Sequence, residues 1–179
     1  GNRYATLTNI RGIVEISPDA QGKEWFPVEN GQRVRAGQLV RTRLESQATL
    51  VFFEGTQSTL SEETEVALQI VRGGWNRSLR VEMRQESGLT SHNVIPLRGS
   101  NSRYIVMTTC GRAAVRGTLF EVAVSPDGAS RFSVTRGSVE VTSAQQRVLV
   151  TAGQHILTTG DLALQTETPS PTHTLWLSP

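Results

Sequence analysis

From Arg112 to Thr142 the chain reads RAAVRGTLFEVAVSPDGASRFSVTRGSVEVT, and its apolar residues return at every second position. Phe120, Val122 and Val124 carry one run, Asp127-Gly128 interrupts it, and Phe132 and Val134 resume the same beat. Only an extended strand sends successive side chains to opposite faces, so this spacing predicts a half-buried hairpin and leaves no room for a helix. Asp-Gly supplies the positive backbone dihedrals of a tight turn. Arg136-Gly137 predicts a second turn, after which Val139 and Val141 continue the apolar face, with Ser138, Glu140 and Thr142 on the other side.

The beat extends through the rest of the chain. Ala48, Leu50 and Phe52 share one strand face, and Thr64 to Ile70 alternates throughout, which places Val66, Leu68 and Ile70 inward and Glu65 and Gln69 outward. Leu79, Val81 and Met83 then face away from Arg80, Glu82 and Arg84. Pro27 cannot donate to a ladder, so Trp25-Phe26-Pro27-Val28 belongs at an edge or a strand end. Residues 87–101 hold Gly88, Pro96, Gly99 and several small polar residues, and they are expected to form a long loop.

An internal echo divides the chain in two. Gln32-Arg33-Val34, Ala36-Gly37-Gln38, Val40 and Thr42 recur as Gln146-Arg147-Val148, Ala152-Gly153-Gln154, Ile156 and Thr158, with a two-residue insertion. Two similar β units that each bury little apolar surface alone would gain by stacking. The expected fold is all-β: a twisted β-solenoid or a β-sandwich of two related halves, with about 14 to 18 short antiparallel strands. Residues 1–165 are expected to form one domain, with sub-units at about 1–86 and 102–165 joined by loop 87–101. Residues 166–179 are rich in Ser, Thr and Pro and read as a C-terminal linker or strap. Within them Trp176, between two leucines, is expected to pack back on the body or to contact a partner.

Composition excludes several classes of function. All but one (Lys23) of the 18 basic residues are arginine, yet they are interspersed with glutamates, which describes a solvated sheet face better than a nucleic-acid stripe. No apolar run approaches the roughly 18 residues of a membrane span, and no signal peptide is visible. Gly1 reads as a residue left by tag removal, so any targeting or membrane segment is expected outside this chain.

The single cysteine, Cys110, excludes an intramolecular disulfide and a cysteine-cluster metal site. Its best reading is a small buried hydrophobe. His92, His155 and His173 are far apart, and the His-x-His pair of a metal-binding cupin is absent. Of Glu62, Glu63 and Glu65, only the last two share a strand face, and like charges at a turn are ordinarily just solvated. No glycine-rich loop enters a helix to cradle phosphate. No enzyme signature and no cofactor emerge.

One resemblance covers most of the chain. Val115-Arg116-Gly117-Thr118-Leu119-Phe120-Glu121-Val122, then Ser133 to Val141 with Gly137, then Ala152-Gly153-Gln154, resemble the FecR family. Gly12-Ile13-Val14, Trp25 to Val28, Gly31, Ala36-Gly37-Gln38, Arg41-Thr42, Ser46-Gln47-Ala48 and Phe53-Glu54-Gly55 follow the family's order. The resemblance implies an extracytoplasmic sensory or regulatory domain, membrane-tethered through a segment outside this chain and coupled to sigma-factor control. It implies a protein partner in the envelope or at the cell surface, and exposed sheet edges could take up a partner strand. The rival reading is a structural or cell-wall-binding module of a surface protein. Arg116, Gly117, Thr118, Phe120, Gly137 and Gly153 carry the family motif, and a scaffold role is expected for them: a bulge or close backbone approach at Gly117, with Arg116 bonding nearby carbonyls.

Overall fold

A long strand in the middle of the chain, Leu79–Val94, organises a computed structural model that describes residues 3–53, 55–74 and 78–162. Eight strands precede it. They are β1 (Tyr4–Arg11), β2 (Val14–Ser17), β3 (Phe26–Pro27), β4 (Arg33–Arg35), β5 (Leu39–Thr42), β6 (Gln47–Val51), β7 (Gln57–Leu60) and β8 (Glu65–Gly73). The central strand is β9. Seven more follow: β10 (Arg103–Met107), β11 (Gly111–Val115), β12 (Thr118–Val124), β13 (Ser130–Arg136), β14 (Ser138–Ser143), β15 (Arg147–Thr151) and β16 (His155–Thr158). The described residues contain no α-helix, and the only parallel pair among them is β9 with β10.

Hydrogen bonding sorts these strands into two layers that share β9. The first runs β3-β2-β5-β8-β9-β10-β11-β14-β15. The second runs β4-β1-β6-β7-β9-β12-β13-β16. Neither closes into a barrel. Apolar residues of both layers, among them Leu7, Leu50, Phe120 and Phe132 from the second and Val66, Val81, Val106 and Val139 from the first, meet in one core. The expected all-β fold of two related halves is what the structure shows.

The crossing within β9 explains how one strand serves both layers. Leu79, Val81, Met83 and Gln85 are buried at odd positions, whereas Thr90, His92 and Val94 are buried at even ones. The phase changes around Gly88, whose φ of +89° is open to glycine and strained for other residues. A strand that leaves one layer for the facing one must turn its inner face over, and a one-residue slip does this. The loop expected over 87–101 is therefore corrected: residues 87–94 are strand, and only 95–102 connect to β10. Small polar residues suited to a loop are here the buried rungs of the second layer.

Two further expectations are revised. A register slip between Leu68 and Ile70 leaves Gln69 unmatched, so Val71 enters the core where Ile70 was expected. The turn at Gly137 is not a hairpin, since β13 pairs with β12 and β16 while β14 pairs with β11 and β15. With φ +83°, Gly137 instead carries the chain between layers. The Asp127-Gly128 hairpin is present with a five-residue connection, 125–129. Only Gly128 is left-handed there, while the Asp127 carboxylate accepts the Ala129 N–H at 3.1 Å and the Ser125 hydroxyl.

The internal echo is a structural repeat. Gly37 donates its N–H to the Leu68 carbonyl and Leu68 donates back to the Gln38 carbonyl; Gly153 and Gln154 make the same pair of bonds with Val134. Each glutamine side chain then turns back to accept a strand-end N–H, that of Arg35 at 2.8 Å and that of Thr151 at 3.1 Å. Pro27, as its chemistry requires, lies in an edge strand that among the described residues pairs only with β2.

Candidate recognition surface

The family-motif residues gather at the corner between β11 and β12. Arg116 Nη2 donates to the Gly99 carbonyl at 2.6 Å, and the Arg116 carbonyl accepts from Leu97 N–H at 2.6 Å. These bonds fasten the 95–102 connection to the corner. A Cβ on Gly117 would lie 2.9 Å from Pro96 Cα, closer than real contacts allow, which is the close backbone approach expected there. Buried Thr118 donates its hydroxyl to the Ser138 carbonyl at 3.0 Å, and a Cβ on Gly137 would meet the Gly117 carbonyl oxygen at 2.8 Å. Gly153 stands apart, in the corner after β15. Trp176 lies outside the described residues.

Phe120 connects this corner to a buried polar chain that the sequence did not reveal. His92 stacks on Phe120, with centroids 4.7 Å apart, and is wholly buried. Gln85 Nε2 donates to the carbonyls of Gly88 and Val122, each at 3.0 Å, so its Oε1 is the acceptor for the Thr90 hydroxyl at 2.6 Å. With that proton committed, the 2.7 Å contact between Thr90 Oγ1 and His92 Nε2 requires Nε2 to donate. His92 Nδ1 then accepts from the Tyr104 hydroxyl at 2.7 Å. Both halves of β9 are thereby tied to β10 and β12, and burial pushes the imidazole down to about 3 from an ordinary 6.5. His92 is a neutral structural residue in a strand, not a loop histidine.

The groups that could have carried chemistry do not assemble. Cys110 is buried, and its thiol is raised by burial and by Asp127 and Asp161, the opposite of nucleophilic activation. Both nitrogens of His92 are occupied. Glu65 is raised by burial and by the neighbouring Glu86, with Arg41 opposing. Among the described residues no group of three His, Cys, Asp or Glu could hold a metal, and no helix is long and apolar enough to cross a membrane.

What the structure does present is the outer face of the first layer. Cross-strand register sets Arg72 opposite Arg80 and Arg80 opposite Arg103, a row of three exposed arginines over β8, β9 and β10. Arg112, on the same face, is opposite Met107. An open groove of about 520 Å³ meets the row at Arg103 and is lined further on by Arg112, Arg116, Ala114, Glu140 and Leu149, among others. Sequence reading treated the arginines as scattered because they lie far apart along the chain.

The FecR protein family profile matches residues 38–140. The chain belongs to the FecR family. The matched span starts in the Ala36-Gly37-Gln38 corner of this FecR-family protein, contains β9 and the Arg116–Thr118 corner, and ends in β14. No curated protein matches the chain significantly. Two crystal structures of a proposed anti-sigma factor from Parabacteroides distasonis are similar, with TM-scores of 0.52 and 0.53 at 19% and 18% identity. Each match covers 73% of this chain and 59% of the other, so the chain spans well under two thirds of those proteins. At such identity the likeness is one of fold.

Proposed function

We propose that this FecR-family chain is the extracytoplasmic sensory or regulatory domain of a membrane-tethered, anti-sigma-type signalling protein, and that it acts by binding rather than catalysis. The family match over residues 38–140 carries the reading. The fold shared with structures of a proposed anti-sigma factor supports it. In this proposal residues 1–165 form the domain, with sub-units at about 1–86 and 102–165, and 166–179 link it onward. Arg116, Gly117, Thr118, Phe120, Gly137 and Gly153 maintain the scaffold, and Trp176 is the candidate contact outside it.

Partner binding by strand addition is compatible with the edges of both layers. Among the described residues β15 pairs only with β14, and β16 only with β13, so each offers one side of its backbone. The test is cellular. Deleting residues 38–140 from the full-length protein should change transcription from promoters of the cognate sigma factor, and reporter fusions should put the domain outside the cytoplasm. An unchanged transcript profile would leave the surface-module reading in its place, and a cytoplasmic reporter would overturn both.

A further inference from the structure

We propose that the open side of β16 takes up one extended, β-branched apolar segment of a protein partner, antiparallel, as an added edge strand of the second layer. The proposal deepens the protein-binding reading above and rests on it.

The structural repeat shows what belongs there. β4 and β5 of the first unit correspond to β15 and β16 of the second, with the layers exchanged, and β1 corresponds to β14. Between β1 and β4 the first unit inserts β2 and β3, and β2 pairs antiparallel with β5 on the side away from β8. Between β14 and β15 the second unit has only residues 144–146. Among the described residues β16 therefore pairs with β13 alone, whereas β5 pairs with both β8 and β2. The groups on the open side follow from β5. Thr42 gives its N–H to the Thr64 carbonyl, towards β8, so the alternate residues Leu39 and Arg41 serve β2. Their counterparts in β16 are His155 and Leu157.

The other layer edges are blunted, as exposed edges usually are. Pro27 removes a donor from β3, while Gln38 and Gln154 cover the strand-end N–H groups of Arg35 in β4 and Thr151 in β15. Among the described residues no side chain bonds the backbone of His155 or Leu157. The chain's own continuation turns elsewhere. The Thr159 carbonyl accepts from Gln145 Nε2 at 3.2 Å and Leu162 N–H donates to the Thr109 carbonyl at 2.8 Å, which carries residues 159–162 across to turns of the first layer. Two copies meeting through β16 would pair only four residues with four, a small part of the roughly 1,200 Å² that a stable interface between rigid bodies buries. A flexible segment needs no such area.

Side chains define the segment. Leu157 stands where β5 has Arg41, and Arg41 is answered by Glu15 of β2 at 3.0 Å. Leu157 is 53% exposed, so the residue opposite it in an added strand should be apolar. β-Branched residues suit the flanking positions, as Val14 and Ile16 do in β2.

The experiment uses the full chain and a labelled synthetic peptide copying residues 11–18 with Glu15→Val, followed by fluorescence anisotropy. Saturable binding is expected, and the peptide that keeps Glu15 should bind more weakly. Methylating the peptide nitrogens at positions 15 and 17, which face β5 in the first unit, should weaken binding at least about tenfold with every side chain unchanged. Leu157→Pro should weaken it similarly and melt near the parent temperature, because the N–H it removes faces away from β13. Leu149→Pro, the same change on β15, should bind as the parent does. The methylated peptide keeps the test independent of how either proline variant folds. No saturable binding, or a methylated peptide that binds equally well, overturns the proposal. So does sedimentation showing a dimer that Leu157→Pro dissociates, which would make a second copy the occupant. A chain that ignores the peptide while the full-length protein still controls sigma-dependent transcription would remove this edge and leave the regulatory reading standing.

Discussion

Lowering the pH should destabilise this protein through one buried imidazole, and the size of the effect follows from the structure. His92 is wholly buried, donates from Nε2 to Thr90 and accepts at Nδ1 from Tyr104, so a second ring proton would break the existing bond from Tyr104 and bury a charge away from water. Its folded value lies near 3, against 6.5 ordinarily. Above pH 6.5 the ring is neutral in both states and stability is complete. As pH falls from 6.5 towards 3, the unfolded chain takes up a proton that the folded chain refuses, so stability drops by about 1.4 kcal/mol per pH unit. At pH 5 the loss is about 2 kcal/mol, a figure that needs only a folded value well below 5. Urea unfolding at pH 7 and pH 5 reads it directly, with His92→Gln as the non-titrating reference. The parent should lose about 2 kcal/mol more than the variant between the two conditions. Equal losses in both proteins would refute the reasoning, as would an imidazole NMR resonance titrating near 6.5 in the folded protein.

Other perturbations probe the scaffold. Gly117→Ala forces a methyl to within 2.9 Å of Pro96 Cα, and about 1–3 kcal/mol of destabilisation is expected in denaturant melts. Phe120→Ala removes a 1%-exposed ring that stacks on His92 and should cost about 3–5 kcal/mol, measured as a fall in the urea midpoint. Tyr104→Phe leaves the buried acceptor His92 Nδ1 without its donor and should cost about 1–3 kcal/mol, less than Phe120→Ala in the same assay. Arg116→Ala severs the bond to the Gly99 carbonyl from an exposed position, so a loss of only about 1 kcal/mol is expected, with hydrogen exchange accelerated in residues 95–102.

Much of this architecture could be read directly from the chain. Period-two burial at Phe120, Val122, Val124, Phe132 and Val134 is as the spacing demands, because alternation along a strand is a local property of extended backbone. The Ala-Gly-Gln echo was also legible, since the same three residues close the same corner with the same hydrogen bonds. Family membership rested on such local blocks. The features that escaped were those in which a local pattern has two structural meanings. Small polar residues after Gly88 fit a loop as well as the buried rungs of a second layer, and the slip at Gln69 lies in an unbroken alternation.

The sequence by itself determined that the chain is extended, where its faces are apolar and where its corners turn. Only the tertiary structure decided which strands are neighbours. Pairing across sheets joins residues far apart in sequence, and no period in the chain encodes that register. Hence the hydroxyl, imidazole and amide of Tyr104, His92 and Gln85 became one proton-ordered chain, and Arg72, Arg80 and Arg103 became a row, only when β8, β9 and β10 came to lie side by side.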